Sequence, residues 1–406
     1  MTGRAVITGI GIVAPNGVGT EAYWSATLAG TSGIGRIRHF DASQYPTRLG
    51  GVIDDFDPAA YVSGQVMVQT DVWSQYAIAA TVMALEDACV DPAALPEYEV
   101  GVVTASSSGG NAFGQREIQK LWSSGPQLVS AYQSIAWFYA ASTGQISIRH
   151  GARGPCGVIV SEQASGLDAL GQARRLIRSD GRLVISGGTE APLSPYALVC
   201  QLSSGLLSDS DDPERCYLPF HVAARGYVPG EGGAILIVED EQAARARGAR
   251  RLYGEIAGYA AGFDPAPDRE RPPALARTIR LALADAGVRP PDVDVVFADA
   301  CAVPALDRSE AAALADVFGP RGVPVTAPKT MVGRLYAGGA ALDVATAALA
   351  IRDCLIPPTT GVGDVAAGCD VDLVRGGPRA VRPWIALVVA RGFGGFNAAL
   401  VLRAVG

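Results

Sequence analysis

The sequence predicts an α/β fold of stacked sheets and helices. Strand-like and helix-like segments alternate along all 406 residues, the pattern of α/β layers built on a largely parallel sheet. Two helical segments that follow Gly-rich turns, LDALGQARRLI (167–177) and LDVATAALAI (342–351), echo one another, which points to an internal duplication. The composition agrees. With 49% hydrophobic and 18% charged residues, 49 glycines and 26 prolines, the chain is well buried and loop-punctuated. It is long enough for two ordinary domains or one duplicated one.

RAVITGIGIV (4–13) reads as a buried strand, and Thr20 is placed to cap a helix running through Trp24 and Leu28 to Gly30. Residues 71–90 form a long helical stretch, and EVGVVTA (99–105) is a strand. VIVSEQASGLDAL (158–170) is a strand, a small turn and a helix opening with Leu167 and Leu170. This is the shape of a nucleophile elbow, which holds a reactive side chain among the N–H groups of a helix start. Strands at 182–188 and 232–240 close this half. The Arg-rich break ARARGARR (244–251) marks a boundary, taken as 1–245 and 246–406. Beyond it come a strand (252–259), a helix (273–287), a strand (293–298), helices at 309–318 and 339–353, and strands at 384–391 and 397–403.

A net charge of −7 and the lack of a basic patch argue against nucleic acid as a partner. The chain enters its first strand without a signal segment, and no apolar run approaches the ~20 residues that span a bilayer. A cytoplasmic protein off the membrane is therefore expected. The seven cysteines are scattered without metal-ligand spacing, so reduced thiols and no metal are expected. The Gly-rich stretches at 226–240 and 391–400 lack the P-loop Lys-Ser/Thr and lead into strands, so they read as tight turns, and no cofactor is implied.

The elbow tip is Gln163, whose amide is no nucleophile. His39, His150 and His221 each lack a second polar residue in sequence that would orient them, so structural roles are expected. Cys156 is expected to be buried as a small apolar residue. Cys301, in FADAC, faces a site without a cationic neighbour to activate it.

ITGIGIVAPNGVGTEAYW, YLPFHVAARGYVPGEGGAILIVE, PKTMVGRLYAGGAALD and GFGGFN resemble β-ketoacyl synthases, nearly end to end and in order. The resemblance implies a thiolase-like fold: two duplicated βαβαβαββ halves in an α-β-α-β-α stack. It also implies that active members carry a Cys at the elbow tip and two His in the second half. Here Gln163 replaces the Cys, while Asp299 and Arg334 stand at the two His positions. Asp307, Glu310, Lys329 and Gly333 keep the family's pattern. Three losses in an intact frame resemble the chain length factors, the non-condensing partners of ketosynthases in type II polyketide synthases.

That resemblance implies an obligate heterodimer with a ketosynthase α subunit, and an acyl carrier protein bearing malonyl and polyketide chains on phosphopantetheine. It also implies a tunnel for the poly-β-keto chain beside GGNAFGQREIQKLW (109–122). Helical spacing puts Asn111, Gly114 and Ile118 on one face, with Arg116, Glu117 and Lys120 largely elsewhere. Small residues there imply a deep tunnel, with Phe113 and Tyr132 narrowing it. Asp299 and Arg334 are expected to pair if they meet, and the Gln163 amide is expected to satisfy helix N-terminal N–H groups. Two other readings stay open at this point: a malonyl-carrier-protein decarboxylase working through Gln163, and a free-standing acyl-binding protein.

Overall fold

The computed structural model describes residues 3–179, 181–266 and 271–406. The first half runs β1 (Ala5–Ala14), α1 (Thr20–Leu28), α2 (Val72–Ala88), β2 (Val100–Ala105), α3 (Asn111–Ser124), α4 (Ala141–His150), β3 (Cys156–Ile159), α5 (Ser165–Arg178), β4 (Leu183–Glu190), α6 (Pro195–Leu202) and β5 (Gly232–Asp240). The second runs β6 (Gly254–Phe263), α7 (Leu275–Ala286), β7 (Val295–Phe297), α8 (Pro304–Phe318), β8 (Pro324–Thr326), α9 (Ala337–Asp353), β9 (Ile385–Arg391) and β10 (Phe396–Arg403).

Strand order repeats between the halves: β3-β2-β4-β5-β1 in the first and β8-β7-β9-β10-β6 in the second. In both, the first three strands are parallel and the last two antiparallel. The sheet is thus mixed rather than largely parallel: β10 returns from β9 through the short turn 392–395, which permits only antiparallel pairing, while β5 pairs antiparallel to β4 after the long segment 191–231 that carries α6. The halves join where β1 meets β6, with Val6 opposite Glu255 and Ile7 opposite Gly254.

The two echoing helices, α5 and α9, form the central layer between the sheets. Space there is short, which explains their small residues. Residues 337–350 of α9 are buried on every side. A methyl on Gly166 would lie 2.7 Å from the Ala341 nitrogen, so the helices cross at backbone contact. Enlarging Ala345, which is fully buried, would cost about 1–3 kcal/mol by overpacking. Helices α2 and α4 cover one outer face, and α7 and α8 the other, completing the α-β-α-β-α stack.

Two local expectations are corrected. Thr20 does not cap α1; it is already helical, and its hydroxyl donates to the Ile10 carbonyl at 2.7 Å, while Gly19 holds the N-cap position. Cys156 is exposed, because β3 is the edge of its sheet with β2 as its only strand neighbour. Both Gly-rich stretches do lead into strands, β5 and β10. Asp71 caps α2 by accepting from Trp73 N, and its other oxygen accepts from Phe113 N at 2.6 Å. One buried carboxylate therefore fixes both α2 and the start of α3.

Candidate functional site

The elbow is present. β3 ends, residues Glu162–Ala164 make one tight 3-10 turn, and α5 begins at Ser165. Glu162 has φ +53°, a left-handed conformation that costs a non-glycine residue roughly 1–2 kcal/mol. Its carboxylate accepts from Phe393 N at 2.9 Å. Within the turn, backbone carbonyls take the N–H groups of Ala164, which donates to Ser161, and of Ser165, which donates to Glu162. The Gln163 side chain does not serve them, contrary to expectation. It is fully buried, and neither its Oε1 nor its Nε2 has a hydrogen-bond partner. It lies against Gly339 of α9, where a methyl would come within 2.7 Å of Nε2. The α9 start approaches so closely that the amide meets bare backbone instead of a polar group.

Asp299 and Arg334 meet. Arg334 Nη1 lies 3.2 and 3.3 Å from the two Asp299 carboxylate oxygens, and Nη2 lies 3.8 Å from Glu162 Oε2. Arg334 also stands over the Tyr227 ring at 5.2 Å and donates to the Arg391 carbonyl. Asp299 further accepts from Arg391 N at 2.9 Å. Burial pushes the Asp299 carboxyl up, but the charges of Arg334 and Lys329 outweigh it and hold the group below its usual range. Burial opposes the Arg334 charge, and Asp299 and Glu162 outweigh that, so the guanidinium stays ionised.

Three further buried charged side chains, Glu310, Asp307 and Lys329, surround this pair. Glu310 on α8 accepts from the backbone N–H groups of Asp299 and Ala300 at 2.8 and 2.9 Å. Asp307 accepts from Phe220 N at 2.7 Å, and burial, with Glu310 and Asp299 nearby, pushes its carboxyl up to about 7. Lys329 pairs with Asp343 of α9 at 2.8 Å. Cys301 is buried 3.8 Å from Asp307 Oδ1. Burial and the two nearby aspartates push its thiol up, so it stays protonated and inert.

Two cavities meet over the elbow, sharing Glu162, Tyr227 and Phe393. One, of about 410 Å³, is bordered by Asp299, Cys301, Arg334 and Arg391. The other, of about 430 Å³, is bordered by Glu162, Tyr336 and Tyr196 and by Asn111 and Trp137. Gln163 borders neither.

Of the residues expected along α3, Asn111 reaches the second cavity and donates to Ser108 Oγ at 2.6 Å. The space beside Gly114 is filled by the Trp137 indole. Phe113 is buried beneath the Arg116 guanidinium, 5.3 Å from the ring centroid. Ile118 is half exposed, and Tyr132 is half-buried, its carbonyl accepting from Ala136 N. Glu117 is on the buried face, contrary to the helical-wheel expectation, because it accepts from Ser130 N at 2.7 Å and from Lys120. His39 also gains an orienting partner unseen in sequence: its Nε2 lies 2.7 Å from the buried Glu231. His221 accepts from Ala223 N, and His150 is part-buried with its Nε2 unpartnered.

Sequence reasoning missed Trp137, Glu190, Tyr196 and Tyr336 as cavity residues. Glu190 was discoverable as an acid at the carboxyl end of a strand, where α/β sheets place ligands. Tyr336, at φ +48° with its hydroxyl donating to Gln201, carried no local signal. Among the described residues, no cluster of His, Cys, Asp or Glu is arranged to hold a metal, and no helix is long and apolar enough to cross a membrane.

The model for the β-ketoacyl synthase N-terminal domain matches residues 3–244, and that for its C-terminal domain matches 253–363. The chain belongs to the β-ketoacyl synthase family. Its similarity to the tetracenomycin polyketide synthase ketoacyl synthase beta subunit of Streptomyces glaucescens is 60% identity over 98% of both chains. It superposes on the ishigamide ketosynthase/chain length factor with a TM-score of 0.91 at 27% identity, covering both chains fully. A type II polyketide synthase acyl-carrier protein in complex with its ketosynthase bound to the hexaketide (AntDE:AntF) matches with a TM-score of 0.89 at 27% identity, again over both full lengths. Within this family fold, this chain's elbow and its surroundings hold a buried amide and a neutralised ion pair.

Proposed function

We propose that this chain is the non-condensing β subunit of a type II polyketide synthase. It pairs with an active ketosynthase, shapes the tunnel for the growing poly-β-keto chain and sets that chain's length. The observation that carries this reading is the Asp299–Arg334 ion pair over the Gln163 elbow. Acyl transfer needs a nucleophile and a base, and enolate formation needs uncommitted donors. Here the tip is an amide, and the guanidinium is already paired with Asp299 and faces Glu162. The cavity running from the elbow to α3 nonetheless remains, which is the part a length-setting subunit requires.

The chain's 1–245 and 246–406 halves act together as one scaffold in this reading. The partner is a ketosynthase α subunit in an obligate, cytoplasmic heterodimer. The open edge of β3 and the exposed aromatics Trp122, Trp137, Phe138 and Tyr139 support a covered interface, since an unpaired strand edge and a large apolar patch invite association. An acyl carrier protein delivers malonyl and polyketide chains to the ketosynthase. The segment that carries Asn111, Phe113, Gly114 and Ile118, together with Tyr132, limits the tunnel, with Asn111 lining it directly. A decarboxylase working through Gln163 gains no support from the geometry, because the amide borders neither cavity and a carboxylate, Asp299, sits where an enolate's charge would develop.

The test is co-expression with a Cys-bearing ketosynthase. Co-purification as a heterodimer, with elongation of malonyl carrier protein only when both chains are present, is the expected result. Purification of an active ketosynthase whose product length ignores this chain would overturn the reading. Carbon dioxide release from malonyl carrier protein after removal of the partner's Cys, lost on Gln163→Ala, would favour the decarboxylase.

A further inference from the structure

Three aromatic residues in a row, Trp137, Phe138 and Tyr139, follow the short helix Gln133–Ala136 and stand about half exposed. Glycines seat them. Gly110 donates its backbone N–H to the Trp137 carbonyl at 3.2 Å. A methyl on Gly109 would lie 2.5 Å from the Trp137 carbonyl oxygen, and one on Gly110 2.1 Å from that of Ala136. Gly109 also has φ +74°, a conformation open to glycine without strain. One turn into α3, a methyl on Gly114 would sit 2.6 Å from Trp137 Cδ1 and 3.2 Å from its Nε1. The indole therefore rests on the bare backbone of α3, and the glycines of GGNAFG form a single seat for the 136–139 segment.

Trp137 borders the same cavity as Asn111 and Glu162. It is the largest side chain on that wall. The geometry points to Trp137 as the residue that limits how far a poly-β-keto chain runs along α3. Gly114 acts by admitting the indole, not by bordering the lumen. This rests on the tunnel reading above and deepens it. A side chain at 114 cannot coexist with the present ring position, since 2.6 Å is closer than carbons approach without displacement. Residues 114 and 137 are therefore coupled, and their effects on product length are not additive.

The test uses the reconstituted complex of this chain, its ketosynthase and malonyl-loaded carrier protein, with products resolved by mass spectrometry. Trp137→Ala is expected to lengthen the product by at least one two-carbon unit while malonyl consumption continues. Trp137→Phe should shift it less, and Gly114→Ala should alter the distribution only while Trp137 is present. Unchanged products from an assembled Trp137→Ala complex overturn the inference. If that variant fails to assemble, Trp137→Phe, which keeps most of the packing, decides in the same way. Asn111→Trp separates this from failure of the underlying reading. If it shortens the product while the Trp137 variants are silent, only the role of Trp137 falls. If neither position affects length, the tunnel reading falls with it.

Discussion

Gln163→Met should stabilise the protein, and the sign of the effect is decisive. The Gln163 side chain is fully buried, and both polar atoms of its amide lack partners. A buried group left unsatisfied costs about 1–3 kcal/mol. Methionine has a similar shape, fits irregular space and carries no strong donor or acceptor, so the exchange itself costs less than about 1.5 kcal/mol. The net expectation is a gain of roughly 1–2 kcal/mol. In urea, with a slope of about 1–3 kcal/mol per molar, the unfolding midpoint should rise by several tenths of a molar at unchanged slope. If the chain pairs as proposed, the measurement is made on that complex with partner and concentration held fixed, because association shifts apparent stability. If the amide instead capped the α5 start, its removal would lose about 0.5–2 kcal/mol. A midpoint that falls would refute the buried, unpartnered amide. Gln163→Glu supplies the contrast, since it adds an unpaired carboxylate at a fully buried position next to Glu162 and should destabilise.

Arg334→Met strips the buried Asp299 of its counter-charge and should cost about 3–5 kcal/mol, most of it recovered in the Arg334→Met, Asp299→Asn double variant; a single-variant loss below about 1 kcal/mol in a urea titration would show that the pair is not sealed. Burial holds the Glu190 carboxyl up at about 8, against an ordinary value of 4.5. Its contribution to stability is therefore complete below pH 4.5 and is lost as the pH rises through 8. Glu190→Gln, neutral throughout, should flatten the decline in urea midpoint across that window, and an unchanged slope would contradict it. Gln163→Cys in the isolated chain should not elongate acyl chains, since Asp299 and Arg334 offer no base for the thiol; radiolabelled products from that variant without partner would refute this.

The strand–helix order was legible in the sequence because burial on both faces of a strand and small-residue runs in a central helix leave direct patterns. The elbow was legible for the same reason, through Val158–Val160 and the apolar spacing of Leu167 and Leu170. Gln163, Asp299 and Arg334 could be singled out because they stand inside motifs that otherwise resemble the family's. What each side chain does was set by residues distant in sequence. The Gln163 amide lacks a partner because Gly339, 176 positions away, brings α9 against it, and backbone carbonyls serve the turn instead. Cys156 is exposed because only the sheet order makes β3 an edge. Glu117 is buried because Ser130 folds back onto it, against the helical wheel of α3. The width of the cavity beside Gly114 was illegible, since a glycine leaves room without saying what fills it. Local periodicity fixes which faces of an element are apolar. Only the packed structure decides which neighbour meets each face, and here that neighbour is the Trp137 indole.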